Sequence, residues 1–105
     1  MIDKIAAALN SAADRLEKPN AWCKNTMAKS EDGIHVAPND QDACQWCSLG
    51  ALSIATSDRT TRFYAQNALA KAINTQSIAA WNDNPARTQA EVVEAFRAAA
   101  KQVTA

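Results

Sequence analysis

Two cysteines three residues apart, Cys44 and Cys47, flank Trp46 in the stretch "DACQWCSLGAL", and Cys23 and the lone histidine His35 lie upstream. Thiols and an imidazole allow four roles. A redox dithiol needs its first thiol at a helix N-terminus, where the dipole lowers the pKa. Cys44 is expected about one turn inside a helix, and no βαβ pattern surrounds it. A closed zinc site needs four donors, and Cys23, His35, Cys44 and Cys47 would supply three thiolates and one imidazole. Residues three apart on a helix share a face, so Cys44 and Cys47 could reach one ion. Cys23 and His35, however, do not form the second tight pair typical of zinc modules. A nucleophilic site would use Cys47, with His35 as base and Asp83 as orienter, and needs mutual hydrogen-bond reach. No local signature supports it. The remaining role is packing, because free cysteine is often buried and behaves as a small hydrophobe. On a helix as apolar as this one is expected to be, packing is the preferred reading.

The second stretch able to do chemistry is "AAWNDNPARTQAEVVEAF". Asn82 and Asp83 can cap helix ends or fix a loop through side-chain-to-backbone bonds. They can equally form a polar cluster beside Trp81 that orients a small ligand or a partner group. Trp22, Trp46 and Trp81 are read as core or loop anchors rather than an aromatic cage. The candidate binding residues are therefore Trp22, His35, Cys47, Trp81, Asn82 and Asp83, with no catalytic residue assigned.

These groups must be positioned by helices. Alanine is abundant, while Gly and Pro number only 2 and 3, a combination that favours helix. Ile2, Ile5, Leu9, Ala12 and Leu16 recur at helical spacing and predict a helix over about 2–17, ended by Pro19. The segment from Asn20 to Pro38 loses that period. Asp32-Gly33 is a turn signal, so a small hairpin pairing 22–28 with 34–36, or an irregular loop, follows the first helix. Asn39 or Asp40 is expected to cap a second helix reaching about Thr56. Its residues are apolar nearly all round, as in a central buried helix. A third helix is expected over about 59–73, then a short helical turn in "TQSIAAW". "NDNPAR" is expected to be a loop, because Pro85 biases Asn84 away from helix. Thr88 and Glu91 form a capping-box pattern that starts the last helix. The expected fold is mainly α: one compact domain over 1–105, a bundle of four to five helices with a long connection or small β-hairpin after the first.

Length and charge limit the function. The 105 residues fit one domain. Eleven basic and eleven acidic residues cancel, and no basic stripe of the kind that binds nucleic acid is present. The one local bias is acidic: Glu31, Asp32, Asp40 and Asp42, with no Lys or Arg over 30–42. No segment approaches the roughly 18 apolar residues of a membrane span. The N-terminus lacks a signal-peptide pattern, and an odd cysteine count agrees with reduced thiols. The expected compartment is the cytoplasm.

Trp22 beside a polar turn, then "WCSLGAL" over 46–52, "AAWND" over 79–83, Arg87-Thr88 and "EVVEAF" over 91–96 occur in an order that resembles an uncharacterised family of small bacterial and phage proteins, a domain of unknown function. In that family a cysteine at Cys47 is typical and one at Cys44 is not, which argues further against zinc. The resemblance implies a helical single domain in a phage or mobile-element setting, in a bacterial host cell. The leading expectation is a non-enzymatic accessory protein, without cofactor, acting by protein binding as a monomer or homodimer. Inhibition of a host defence system is one concrete form. The alternatives are a small-ligand or hydrolytic site on Cys47, His35 and Asp83, and a zinc-stabilised module.

Overall fold

The apolar repeat at Ile5, Leu9, Ala12 and Leu16 does form a helix, α1 (Ile2–Leu16), in a computed structural model that describes residues 1–105. Ala8 and Ala13 join that stripe in the core, whereas Ile2 stays outside. A β-strand, β1 (Ala28–Ser30), follows, then β2 (Ala43–Trp46), antiparallel to it. Four more helices complete the chain: α2 (Ser48–Ala55), α3 (Arg59–Ala72), α4 (Ile78–Asp83) and α5 (Gln89–Thr104). The fold is mainly α, with five helices and a small sheet after the first.

The core lies where α1 meets α5, α2 and α3. Leu9, Leu16, Leu52, Leu69, Val92 and Phe96 are fully buried in it, and Ala12, Ala51, Ala65 and Ala99 let the helix backbones come close. At about 25 cal/mol per Å² of apolar surface removed from water, such side chains are the main stabilising contribution. Polar links fix how α1 meets α5. Arg97 donates to Asp14 at 2.7 Å and Glu17 at 3.2 Å, and Gln89 Nε2 donates to the carbonyls of Leu16, the last residue of α1, and of Lys18 just past it.

The capping box forms as the sequence predicts. Thr88 Oγ1 accepts the Glu91 N–H at 3.2 Å, and the Glu91 carboxylate accepts the Thr88 N–H at 2.9 Å. That bond from Thr88, with a second from its hydroxyl, holds the Glu91 carboxyl below its usual range. Thr88→Ala is expected to lower stability by about 1 kcal/mol, read as a lower urea midpoint with unchanged slope, while Thr88→Ser retains the wild-type midpoint.

Three expectations change. The second helix does not start at Asn39 or Asp40. Asp40 instead accepts the Asp42 and Ala43 N–H groups in a tight turn, residues 43–46 run extended, and Cys47 caps the helix. Pairing with β1 supplies the backbone partners that a helical turn would have supplied, and tertiary pairing overrides a weak local preference. The hairpin is also wider than expected. Residues 34–36 do meet the first strand, through the Lys29–His35 bridge, but β1 pairs along its other side with β2. Asn82 and Asp83 lie in α4 rather than in a loop; the irregular stretch begins at Asn84.

Candidate functional site

Trp22, Asn82 and Asp83, among the residues singled out for chemistry, come together around one side chain, that of Asn82. Trp22 and Trp46 form a parallel bridge, in which the Trp46 N–H donates to the Ala21 carbonyl at 2.8 Å and the Cys23 N–H donates to the Trp46 carbonyl at 3.1 Å. A parallel ladder would continue with the Ser48 N–H donating to the Cys23 carbonyl. The Asn82 side-chain amide stands between those two groups. Its Oδ1 accepts the Ser48 N–H at 3.0 Å, and its Nδ2 donates to the Cys23 carbonyl at 3.1 Å. The amide thus acts as an inserted peptide group that joins α4 to two backbone segments.

Three further bonds complete this joint. Asn82 Oδ1 also accepts the Trp22 indole N–H at 2.8 Å and the Ser48 hydroxyl at 2.7 Å, while Nδ2 donates to Asp83 Oδ1 at 2.9 Å. Asp83 in turn accepts the N–H of Asn25, whose φ is +69°. Asn82 is fully buried, and no buried side-chain polar atom in the chain lacks a partner. Burying an amide costs free energy unless it is hydrogen-bonded, and here both ends are.

Cys47 sits beside the joint. Its sulfur accepts the Gly50 N–H at 3.3 Å as the cap of α2, and its own N–H donates to the Met27 carbonyl at 3.1 Å. Cys47 and Asp83 share the lining of a pocket of about 230 Å³ with Met27 and Leu49. That is below the roughly 300–1,000 Å³ of typical ligand sites. His35 is exposed on the sheet and does not line this pocket. The Cys47–His35–Asp83 triad is therefore not assembled: the turn at Asp32-Gly33 carries His35 back along β1, where it pairs with Lys29 and makes no hydrogen bond to Cys47 or Asp83.

The four proposed zinc donors do not converge either. In extended backbone, residues three apart point to opposite faces, so Cys44 is exposed on β2 while Cys47 turns into the core. Cys23 is buried, and no group of three or more His, Cys, Asp or Glu side chains has ligating proximity. The shared helical face expected for Cys44 and Cys47 fails because the backbone between them is a strand. Packing describes Cys23 and Cys47 and does not describe Cys44.

Burial pushes the Cys23 thiol from its ordinary 9.0 up to about 11, with the neighbouring Cys47 adding to the effect. Burial raises Cys47 too, against the bond from the Gly50 N–H. Both thiols thus keep their protons at neutral pH, and thiols are poor nucleophiles. In the native protein a disulfide-exchange reagent is expected to titrate Cys44 rapidly and the other two only after unfolding. Equal rates for all three would contradict this burial. The raised Cys23 value also sets a sign. Its contribution to stability is full below pH 9 and is lost as pH rises through about 11. Stability is expected to fall less steeply over that window in Cys23→Ala than in the wild type.

Each tryptophan face carries a cation. The Arg87 guanidinium lies 4.1 Å from the Trp81 ring centroid, Arg15 4.6 Å from Trp46, and Lys24 Nζ 5.2 Å from Trp22. These faces are occupied from within the chain by attraction to the ring quadrupole. Sequence reasoning found Trp22, Cys47, Asn82 and Asp83 but missed Ser48, Asn25, Met27 and Gly50 as their partners. Only the small size of Gly50 gave a signal: a Cβ there would lie 2.0 Å from the Met27 carbonyl oxygen.

No curated protein and no solved structure matches the chain. The sequence profile of a family of unknown function, DUF6197, does match, over residues 1–102. The pieces that carried the resemblance, "WCSLGAL" and "AAWND", supply opposite sides of the joint, and Arg87, Thr88 and Glu91 secure the helix that follows. On a match spanning nearly the whole chain, the protein belongs to the DUF6197 family.

Proposed function

We propose that this is a non-enzymatic accessory protein that acts by binding another protein. A phage or mobile-element setting, with inhibition of a host defence system as one form, follows from the resemblance in its motifs. The observation that supports the reading is how its polar groups are used. Asn82, Trp22, Ser48 and Asp83 hydrogen-bond one another or nearby backbone, and Cys47 caps a helix. The groups best suited to chemistry thereby hold a rigid scaffold together. Meanwhile Ile34, Phe63 and Tyr64 stay exposed at 60%, 58% and 47%. Phe63 and Tyr64 form one contiguous aromatic pair, their ring centroids 5.5 Å apart, and contiguous exposed apolar surface suits contact with a partner.

The shared pocket of Cys47 and Asp83 supports the second reading, a small-ligand site, which would use Trp22, Asn82 and Trp81 as supports. One experiment separates the two. The tagged full chain is used to capture partners from host cells, and each candidate protein is then purified and recombined with it. A stoichiometric complex by light scattering is the expected result. A metabolite that co-purifies with the chain and is lost in Cys47→Ala, with no reconstituted protein complex, would overturn the protein-binding reading in favour of the second.

A further inference from the structure

The sheet has one edge that the fold leaves open. Residues 34–36 pair with β1 through two bonds, the Ser30 N–H to the Ile34 carbonyl at 2.9 Å and the Val36 N–H to the Ala28 carbonyl at 3.1 Å. Lys29 and His35 are therefore the non-hydrogen-bonded pair of that ladder. In such a pair the N–H and C=O of each residue point away from the partner strand. Those of Lys29 point toward β2. Those of His35 point outward, where no strand of this chain follows.

The face beside that edge is apolar, and its rim is acidic. Ala28 begins the face in the core, and Ile34, Val36 and Ala43 continue it into an open groove of about 500 Å³. No helix covers this end, which leaves Ile34 60% exposed. Glu31, Asp32 and Asp42 line the same groove, and none of them takes part in the ion pairs of the chain, which join Arg87 to Glu91 and Arg97 to Asp14 and Glu17. The chain is neutral overall, so three unpaired carboxylates on one groove are a local field with no internal counterpart.

We propose that the 34–36 edge takes up an extended, basic segment of a partner protein as an added strand. The outward N–H and C=O of His35 supply main-chain bonds, Ile34 and Val36 an apolar contact, and the three carboxylates select Lys or Arg. Strand addition of this kind draws affinity from main-chain bonds and specificity from flanking side chains. The sign of the rim charge disfavours nucleic acid. This inference rests on the protein-binding reading and names the surface and the partner's chemistry.

The test uses the labelled full chain and two synthetic peptides of about nine residues, one alternating Lys with Val and the other Glu with Val. Amide signals are followed by NMR. The Lys peptide is expected to shift the amides of 30–36 and 41–44, with affinity falling roughly tenfold or more between low and physiological salt. The Glu peptide is expected to leave them unmoved. Asp32→Lys combined with Asp42→Lys is expected to abolish binding. His35→Pro removes the outward N–H together with the imidazole, keeps both bonds to β1, and is expected to weaken binding at least tenfold; His35→Ala, which removes the imidazole alone, is expected to bind as wild type. Shifts centred elsewhere, equal response to both peptides, or full binding by His35→Pro would each overturn the proposal. Peptide-free shifts of the same amides that grow with protein concentration would overturn it in favour of a second copy. If these arms fail while a reconstituted complex persists, the edge assignment falls and the protein-binding reading stands. If the peptide arms succeed and no protein complex can be reconstituted, the edge binds basic strands, but its assignment to a partner protein falls with the protein-binding reading.

Discussion

Gly50→Ala is expected to cost about 3 kcal/mol or more, at the upper end of what overpacking does. An alanine Cβ would lie 2.0 Å from the Met27 carbonyl oxygen and 3.0 Å from its carbon. Both are backbone atoms, so no side-chain rotation relieves the contact. Met27 cannot retreat freely either, because its carbonyl accepts the Cys47 N–H at 3.1 Å. α2 cannot retreat, because its first turn is tied to Asn82 through Ser48. Helix propensity acts the other way, favouring Ala over Gly by about 1 kcal/mol. A measured gain in stability would therefore refute the close approach outright. With each kcal/mol worth about 4–8 °C in a domain of this size, the melting temperature should fall by about 12 °C or more. Gly33 is the control. Its φ is +78° and an added Cβ would meet nothing within 4 Å, so alanine there faces backbone strain alone, about 1–2 kcal/mol.

Asn82→Leu is the second large effect. The substitution keeps the number and branching of the side-chain heavy atoms but removes both ends of the amide. The Ser48 N–H, the Cys23 carbonyl and the Trp22 indole N–H lose their partner together. Each buried group left unsatisfied costs about 1–3 kcal/mol. Their sum is comparable with the whole stability of a small domain, about 5–15 kcal/mol. The variant is expected to be unfolded or to melt at a strongly reduced temperature, by circular dichroism. Combining Asn82→Leu with Trp22→Phe makes the attribution specific. Trp22→Phe removes one of the stranded donors, so the double variant should lose less than the sum of the two singles. Strict additivity would mean that the indole bond contributes nothing to the joint.

Local pattern was enough for much of this protein. The stripe of α1, the Thr88–Glu91 box and the Val92–Phe96 face depend on neighbours within a turn or two, and they appear where the sequence places them. The same reasoning failed over residues 39–47. Asp40, Cys44 and Trp46 are compatible with a helix locally, but β1 offers the 43–46 segment a backbone partner, and that partner lies more than ten residues away in sequence. Once 43–46 became a strand, the helical argument about Cys44 and Cys47 lost its geometry.

The sequence alone determined the helical class, the ends of the outer helices and the short roll of polar and sulfur-bearing residues worth watching. Only the tertiary structure decided what those residues do: Asn82 reaches back about 60 residues to Trp22 and Cys23, His35 is turned out to an open sheet edge, and Gly50 meets the Met27 backbone. Helix propensity and apolar period are properties of adjacent residues, legible one turn at a time. Hydrogen-bond satisfaction in a core is a property of groups brought together from distant segments, and it is settled when the segments pack.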